Sequence, residues 1–222
     1  MRYITTFAVY LVTAKHVLQN EEGNYHPEIY VRLNRKGQHS AFISINLKEH
    51  NLHIHDDENV DLVIFLFYPP QNVFDYLYIP TSYLPTRDSI NAMMNEGDDD
   101  VFYSALFTNY YGKENNHPIL RFGKVSLLTD EKIDFNQFNE PEKSTHLYLF
   151  EIQSYPGNSG APVFFQIPRI TKDKKLYFGN PEIHLVGVMK GHYNDVRMRK
   201  VVDIKDSFLQ QLNNGIAMVT PS

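Results

Sequence analysis

The sequence predicts an all-β protein, because strand signals recur along the chain and helical ones do not. Short runs rich in β-branched and aromatic residues are punctuated by Gly, Pro, Asn and Asp. Several runs alternate in polarity, for example residues 42–47, as a half-buried strand does. Helical periodicity is weak, with short candidates at residues 90–95 and 207–212. Many short strands with turn-rich connections indicate an antiparallel sandwich or barrel.

The predicted strands follow one another at short intervals along the whole chain. Turn residues separate them, as at residues 34–37, 69–70 and 213–215. We place the boundary between two lobes near residues 95–100, so that residues 1–95 form one lobe and residues 96–222 the other. In chain order the predicted strands cover residues 7–12, 29–33, 40–47, 62–67, 101–107, 119–128, 146–152, 161–165 and 184–189.

Composition narrows the class of protein. The 222 residues are 42% hydrophobic and 21% charged, which is ordinary for a globular chain long enough to bury a sizeable core. A net charge of −5 argues against a nucleic-acid partner. The chain has no cysteine, so no disulfide can support the fold; this favours the cytoplasm, with export as the alternative. No apolar run reaches the ~18 residues of a membrane span, and we expect no membrane partner.

The most informative segment is residues 155–163, which read Tyr-Pro-Gly-Asn-Ser-Gly-Ala-Pro-Val. A serine between two glycines lies on a tight turn, where the backbone can approach a substrate and direct amide N–H groups at it. Two partners lie upstream of Ser159, because His16 ends one apolar segment and Asp61 begins another. A serine hydroxyl needs a base to act as a nucleophile at neutral pH, and a histidine oriented by a carboxylate is such a base.

These segments resemble the trypsin/chymotrypsin-like serine proteases, whose hallmark motifs read roughly TA-x-H, D-apolar-apolar and G-[DN]-S-G-x-P. The Gly-Asn-Ser-Gly sequence around Ser159 resembles the bacterial and organellar branch of the family more than the animal digestive enzymes. The resemblance implies two antiparallel six-stranded β-barrels of the chymotrypsin type with the active site in the cleft between them. The first lobe would supply His16 and Asp61, and the second Ser159. The matching segments are residues 13–16, 61–63 and 157–162.

The resemblance also implies a role for each residue. His16 would act as general base and then general acid, and Asp61 would fix its tautomer. The backbone N–H groups of Gly157 and Ser159 would bind the oxyanion of the tetrahedral intermediate. This chemistry needs no cofactor and no metal.

For the substrate, the resemblance implies a first pocket with Gln153 at its floor and the strand containing Met189, Lys190 and Gly191 as one wall. A neutral amide at the floor offers no strong attraction for Lys or Arg. Lys190 and the nearby His192 could favour an acidic substrate residue, but the interpretation as solvated side chains at a strand end is favoured over this one.

The sequence departs from the digestive members of this family in two respects. Asn158 is uncharged where those enzymes have an aspartate that pairs with a newly cut N-terminus, so no activation by N-terminal cleavage is implied. The sequence is also short at both ends relative to the family, because little chain precedes His16 and the chain stops at Ser222. We therefore expect either a piece of a longer protein or an incomplete first barrel.

Three further clusters have ordinary explanations that we adopt. Residues 50–58 contain His53 and His55 followed by carboxylates; a solvated connector is favoured over a metal site. The acidic residues 96–100 are interpreted as a loop between lobes rather than a weak calcium site. The basic residues 197–200 are interpreted as a solvated face.

The sequence therefore predicts a serine endopeptidase that cleaves a protein or peptide substrate through an acyl-enzyme. A catalytically weak or inactive protease-fold module that binds or senses is the alternative from another class. An esterase or acyl transferase with the same triad is a third hypothesis. Reaction with serine-directed probes, and the preference for ester or amide substrates, separate the three.

Overall fold

The computed structural model describes residues 8–86, 88–90, 100–107, 109–135, 143–166, 183–194 and 213–221. Strands account for 51% of the structure and helices for 8%, which confirms the all-β prediction. Short 3-10 helices cover Lys15–Leu18, Leu47–Glu49 and Thr81–Tyr83. The strands are β1 (Tyr10–Thr13), β2 (Glu28–Arg35), β3 (Gln38–Asn46), β4 (His53–Ile54), β5 (Val63–Leu66), β6 (Asp100–Leu106), β7 (Pro118–Leu127), β8 (Lys132–Phe135), β9 (Lys143–His146), β10 (Tyr148–Glu151), β11 (Pro162–Gln166), β12 (Ile183–Asn194) and β13 (Asn213–Pro221).

Six strands of the C-terminal half close into an antiparallel barrel in the order β10-β13-β12-β11-β6-β7. Alternation along the strands turns every second side chain inward, so Val101 and Tyr103 on β6 are fully buried. Val163 and Phe165 on the paired strand β11 are buried in the same way. Closure leaves no free sheet edge and gives this half a continuous apolar interior.

The strands of the N-terminal half form two smaller sheets, one of β1-β5-β4 and one of the hairpin β2-β3. Both sheets bury their apolar faces in one cluster, whose members are Leu18, Ile45, Leu47, Val63 and Phe65. A second closed barrel is not shown for the described residues of this half. The expectation of two six-stranded barrels is therefore met for the C-terminal half alone.

Each predicted strand overlaps an observed one, but the prediction reached only the last residue of β9 and omitted β4, β8 and β13. The last omission has a clear cause, because residues 213–215 read Asn-Asn-Gly, a turn-forming sequence, and yet begin β13. The pairing of β13 with both β10 and β12 overrides this local preference. The proposed lobe boundary, most of residues 90–95 and all of residues 197–200 and 207–212 lie outside the described residues.

The two halves meet through polar contacts. Asn116 N donates to Asn34 Oδ1 at 2.7 Å, and Asn34 Nδ2 donates back to Asn116 O at 3.2 Å. A second polar contact joins β8 to the segment between β4 and β5, where Lys132 Nζ lies 3.0 Å from Asp57 Oδ2. The two halves also meet where Gly160, in the turn that precedes β11, lies against Thr13 at the end of β1. In the part of the chain described, no helix has the length and apolar content needed to cross a bilayer.

Candidate active site

The pairing of β1 with β5 brings His16 and Asp61 together. Thr13 and Val63 are partners in this antiparallel register, so the residues just after β1 lie beside those just before β5. His16 Nδ1 lies 2.6 Å from Asp61 Oδ2, and the backbone N–H of His16 donates to Asp61 Oδ1 at 2.9 Å. Both carboxylate oxygens of Asp61 therefore bind His16, one through its backbone and one through its ring. This orients the imidazole and leaves Nε2 as the ring nitrogen that does not contact Asp61.

Burial and electrostatics differ sharply between these two side chains. The side chain of Asp61 is 7% exposed, whereas that of His16 is 45% exposed. Burial by itself would raise the pKa of the Asp61 carboxyl. The hydrogen bond from His16 and the charge of Lys190 outweigh burial and lower the pKa to about 2. Asp61 is thus an ionised carboxylate at neutral pH, next to an imidazole that solvent can reach.

Ser159 lies on a turn that contains two glycines with left-handed backbone conformations. Gly157 has φ 91° and Gly160 has φ 87°, values that favour glycine. A Cβ at Gly160 would collide with Thr13 Oγ1 and lie 3.4 Å from Ala14 N. The serine turn therefore packs directly on the end of β1, next to the 3-10 helix that contains His16.

The side chain of Asn158 secures this turn from inside the protein. Asn158 is 3% exposed, and its Oδ1 accepts from the backbone N–H of Tyr155 at 3.0 Å. The Tyr103 hydroxyl lies 3.0 Å from the same Oδ1 and 2.7 Å from Gln153 O. Burial raises the pKa of Tyr103 to about 12, so this hydroxyl stays protonated and can donate. Sequence analysis predicts a strand over residues 101–107 and does not indicate that Tyr103 contacts the serine turn.

Ser159 is half-buried, and its hydroxyl is hydrogen-bonded to a backbone carbonyl. Its Oγ donates to the carbonyl oxygen of Lys190 at 3.1 Å, rather than to the imidazole of His16. Within the described residues, the backbone N–H groups of Gly157 and Ser159 make no hydrogen bond. These are the two donors to which the family resemblance gives the role of binding an oxyanion, and they are available to a ligand.

Lys190 reaches the site because β12 is irregular at this residue. The register of β12 with β13 shifts between Met189 and Gly191, so Lys190 is an extra residue in the ladder. Its side chain is 5% exposed, and its Nζ lies 3.6 Å from Asp61 Oδ2. The same Nζ lies 4.7 Å from the ring centroid of Phe135. Burial lowers the pKa of Lys190, although the charge of Asp61 acts in the opposite direction.

The other residues expected at the substrate pocket have different surroundings. Gln153 is exposed, and its side-chain oxygen accepts from the Tyr155 hydroxyl at 3.2 Å. Met189 is fully buried in the barrel core, so it can line a pocket only through its backbone. Gly191 has open space where a Cβ would stand. The charge of Lys190 is turned toward Asp61, which differs from both the substrate contact and the solvated strand end expected from the sequence.

Chemically, the site combines an ionised acid, an oriented imidazole and a serine on a glycine turn. Among the residues that the structure describes, no three His, Cys, Asp or Glu side chains are grouped so that they could hold a metal ion. His55 instead accepts from the backbone N–H of Asp57 at 2.9 Å through Nδ1. Comparison of the sequence with known protein families and with curated proteins finds no match.

Proposed function

We propose that the protein is a serine endopeptidase in which Ser159 is the nucleophile, His16 the base and Asp61 the orienting acid. The observation that supports this most directly is the two-point contact between His16 and the buried carboxylate of Asp61. A histidine tied at Nδ1 presents Nε2 as the acceptor for a nucleophile's proton. The serine turn packed on the end of β1 supplies a hydroxyl in the same region.

In the proposed reaction, Ser159 Oγ attacks the carbonyl carbon of the scissile peptide bond while His16 Nε2 takes the hydroxyl proton. The carbonyl oxygen becomes an oxyanion, stabilised by the free N–H groups of Gly157 and Ser159. The imidazolium then protonates the leaving amine, and the C–N bond breaks to give an acyl-enzyme. A water molecule, deprotonated by His16, hydrolyses the ester and regenerates Ser159.

We extend the proposal to the finer class of fold. The C-terminal barrel and the two N-terminal sheets would be the two lobes of a chymotrypsin-type peptidase, and the substrate would lie between them. In its support, His16 follows β1 and Asp61 precedes β5 of the N-terminal sheets, whereas the Ser159 turn leads into β11 of the barrel. A protein or peptide would be the substrate, and no cofactor takes part in the reaction.

A second candidate is a protease-fold module that binds a peptide with little or no turnover. One contact favours it, namely the hydrogen bond from Ser159 Oγ to the carbonyl of Lys190. The hydroxyl must rotate away from this carbonyl to give its proton to His16. Because the Lys190 carbonyl competes with His16 for the hydroxyl proton of Ser159, this contact would slow catalysis without affecting binding.

Labelling with a fluorophosphonate tests the proposal, with mass spectrometry to locate the adduct. We expect a stoichiometric adduct on Ser159, and none in Ser159→Ala. Ser126→Ala is a matched control, because Ser126 is an exposed serine on β7. A folded wild-type protein that does not react would contradict the proposal and favour the binding module. Comparison of matched ester and amide substrates then separates a peptidase from an esterase.

A further inference from the structure

We propose that Arg121 is a specificity-determining residue of this site, whose guanidinium group binds the carboxylate of a Glu or Asp side chain in the substrate. The inference rests on the proposed function and names its substrate class, which is peptides that are acidic at the residue whose carbonyl Ser159 attacks. The observation behind it is a half-buried arginine that contacts the segment before Ser159 and has no carboxylate partner among the described residues.

Arg121 lies at one end of the interior of the C-terminal barrel. It is the direct partner of Tyr103 in the register of β6 with β7, and side chains of paired residues project from the same face of a sheet. Tyr103 is fully buried in the barrel core, so Arg121 is also on the inner face. Further along this face of β7, Val125 packs against the core, whereas Arg121 is only half-buried. The inner face of β7 thus changes from apolar to cationic at the end where the Tyr103 hydroxyl meets the serine turn.

The guanidinium group contacts the segment that leads to Ser159. Arg121 Cζ lies 4.6 Å from the ring centroid of Tyr155, a distance at which the face of an aromatic ring attracts a cation. The hydroxyl of the same ring donates to Gln153 Oε1 at 3.2 Å, so Tyr155 links Arg121 to the residue that the family resemblance places at the pocket floor. Tyr155 is 44% exposed, which leaves this side of the segment open to a ligand.

The hydrogen-bonding capacity of Arg121 is only partly used. Within the described residues, its Nε is buried without a hydrogen-bond partner, and its charge and a side-chain hydrogen bond act on the Tyr103 hydroxyl. No carboxylate forms an ion pair with it in this part of the chain. A charge that is partly removed from water without a counter-charge costs free energy, and the planar set of N–H donors of an arginine matches a carboxylate. A substrate carboxylate would supply the missing counter-charge.

The proposed reaction indicates which substrate residue reaches Arg121. When Ser159 attacks a carbonyl carbon, the carbonyl oxygen lies against the N–H groups of Gly157 and Ser159. The residue that contains this carbonyl is therefore next to the serine turn, and its side chain is the one closest to Tyr155 and Arg121. We accordingly expect the acidic residue on the acyl side of the bond that is cleaved.

Two other basic side chains lie near the site. Lys190 is 5% exposed, and its Nζ already lies 3.6 Å from Asp61 Oδ2, so it has a counter-charge within the protein. His192 on β12 is half-buried and is the competing candidate for a substrate carboxylate. Arg121 differs from both, because it combines a permanent place beside the serine turn with the absence of a counter-charge in the described residues.

The test compares acetyl-Ala-Ala-Pro-Glu-p-nitroanilide with the same peptide containing Gln in place of Glu, which has nearly the same shape and no charge. We expect kcat/KM of the wild type to be roughly 10- to 100-fold higher for the Glu peptide, the range of a hydrogen bond to a charged group. This preference should disappear in Arg121→Met and Arg121→Gln. Lys124→Met is the matched control and should keep it, because Lys124 is an exposed cation on the same strand that pairs with Asp100 at 2.6 Å.

Equal kcat/KM values for the two peptides in the wild type would overturn the proposal, as would a Glu preference that persists in a folded Arg121→Met. A purely structural role of Arg121 would lower both rates together and leave their ratio unchanged, which would also refute it. If neither neutral variant folds, His192→Gln decides. Retention of the Glu preference in that variant supports Arg121, and its loss would assign the substrate carboxylate to His192.

A binding measurement separates this inference from the proposed function. Ser159→Ala cannot form an acyl-enzyme, yet by calorimetry it should bind the Glu peptide roughly tenfold or more tightly than the Gln peptide. Adding Arg121→Met to Ser159→Ala should abolish this difference. A wild type that ignores the fluorophosphonate, with the difference in binding intact, would refute the proposed nucleophile alone. A wild type that reacts with the fluorophosphonate but shows no Glu preference would refute the role of Arg121 alone.

Discussion

Gly160 packs directly against Thr13, and this contact joins the serine turn to the strand that leads to His16. A Cβ at Gly160 would meet Thr13 Oγ1, and the backbone there has φ +87°. The side of the turn that faces β1 therefore has no room for a side chain. The relative position of Ser159 and His16 depends on this absence of a Cβ.

Gly160→Ala should weaken both the fold and the site. Steric overlap with Thr13 adds to the strain of an L-residue at positive φ, and we expect a loss of roughly 2 to 4 kcal/mol in the free energy of unfolding. Urea denaturation measures this loss. Gly23→Ala is the matched control, because Gly23 has φ +81° and open space around its Cβ position. Equal losses in the two variants would contradict the proposed contact.

Tyr103→Phe tests whether the Tyr103 hydroxyl stabilises the turn that carries Ser159. The variant keeps the ring and removes the hydroxyl that lies within hydrogen-bond distance of Gln153 O and Asn158 Oδ1. We expect a loss of roughly 1 to 2 kcal/mol in unfolding free energy and slower labelling of Ser159. Tyr110→Phe should change neither quantity, because Tyr110 is 60% exposed. Unchanged labelling in a destabilised Tyr103→Phe would mean that Tyr103 supports the barrel and not the turn.

The ionised form of Asp61 should stabilise the protein in a defined range of pH. Its pKa falls from 3.8 to about 2 on folding, because contacts with His16 and Lys190 outweigh burial. The stabilisation, about 2 kcal/mol, is present above pH ~4 and is lost as the pH falls toward ~2. The difference in unfolding free energy between wild type and Asp61→Asn should shrink over that range. Asp56→Asn is the control, because it removes one exposed carboxylate. A difference in unfolding free energy between wild type and Asp61→Asn that does not change with pH would refute the expectation.

Arg32→Lys should loosen the contact between the two halves. The Arg32 guanidinium donates to Gly112 O at 3.0 Å and Lys113 O at 3.1 Å, and lies 5.1 Å from the ring centroid of Tyr111. A lysine cannot reproduce this planar set of donors. Hydrogen exchange at residues 109–117 should become faster in the variant. Arg35→Lys is the control, because Arg35 Nε donates to His39 O within its own hairpin. Equal exchange rates would contradict the role of Arg32.

Much of the site could be anticipated from local sequence, because short motifs encode it. His16 and Asp61 each adjoin an apolar strand, and antiparallel pairing of those strands brings the two residues into contact. The glycines around Ser159 likewise predict a turn, and both flanking glycines have positive φ. In each case a few consecutive residues determine the local backbone.

The contributions of Tyr103 and Lys190 could not be predicted in this way. The contact of Tyr103 with Asn158 joins residues 55 apart in the chain, and depends on how β6 and β11 pair in the barrel. Period-two alternation predicts that Lys190 points away from the core if Met189 points into it. Met189 does lie in the barrel core, but Lys190 is buried against Asp61 instead of being exposed, and no sequence pattern at residues 186–191 indicates either this burial or the bulge in β12.

The same bulge limits how the chain can change length. β12 has one residue more than β13 between Met189 and Gly191, so deletion of one residue there would straighten the ladder. The chain would then have no extra residue at the position from which the Lys190 side chain reaches Asp61, and this contact would be lost. The turn between β2 and β3 tolerates more, because Gly37 has open space around it. Insertions and deletions should therefore be accepted at that hairpin and rejected at the bulge.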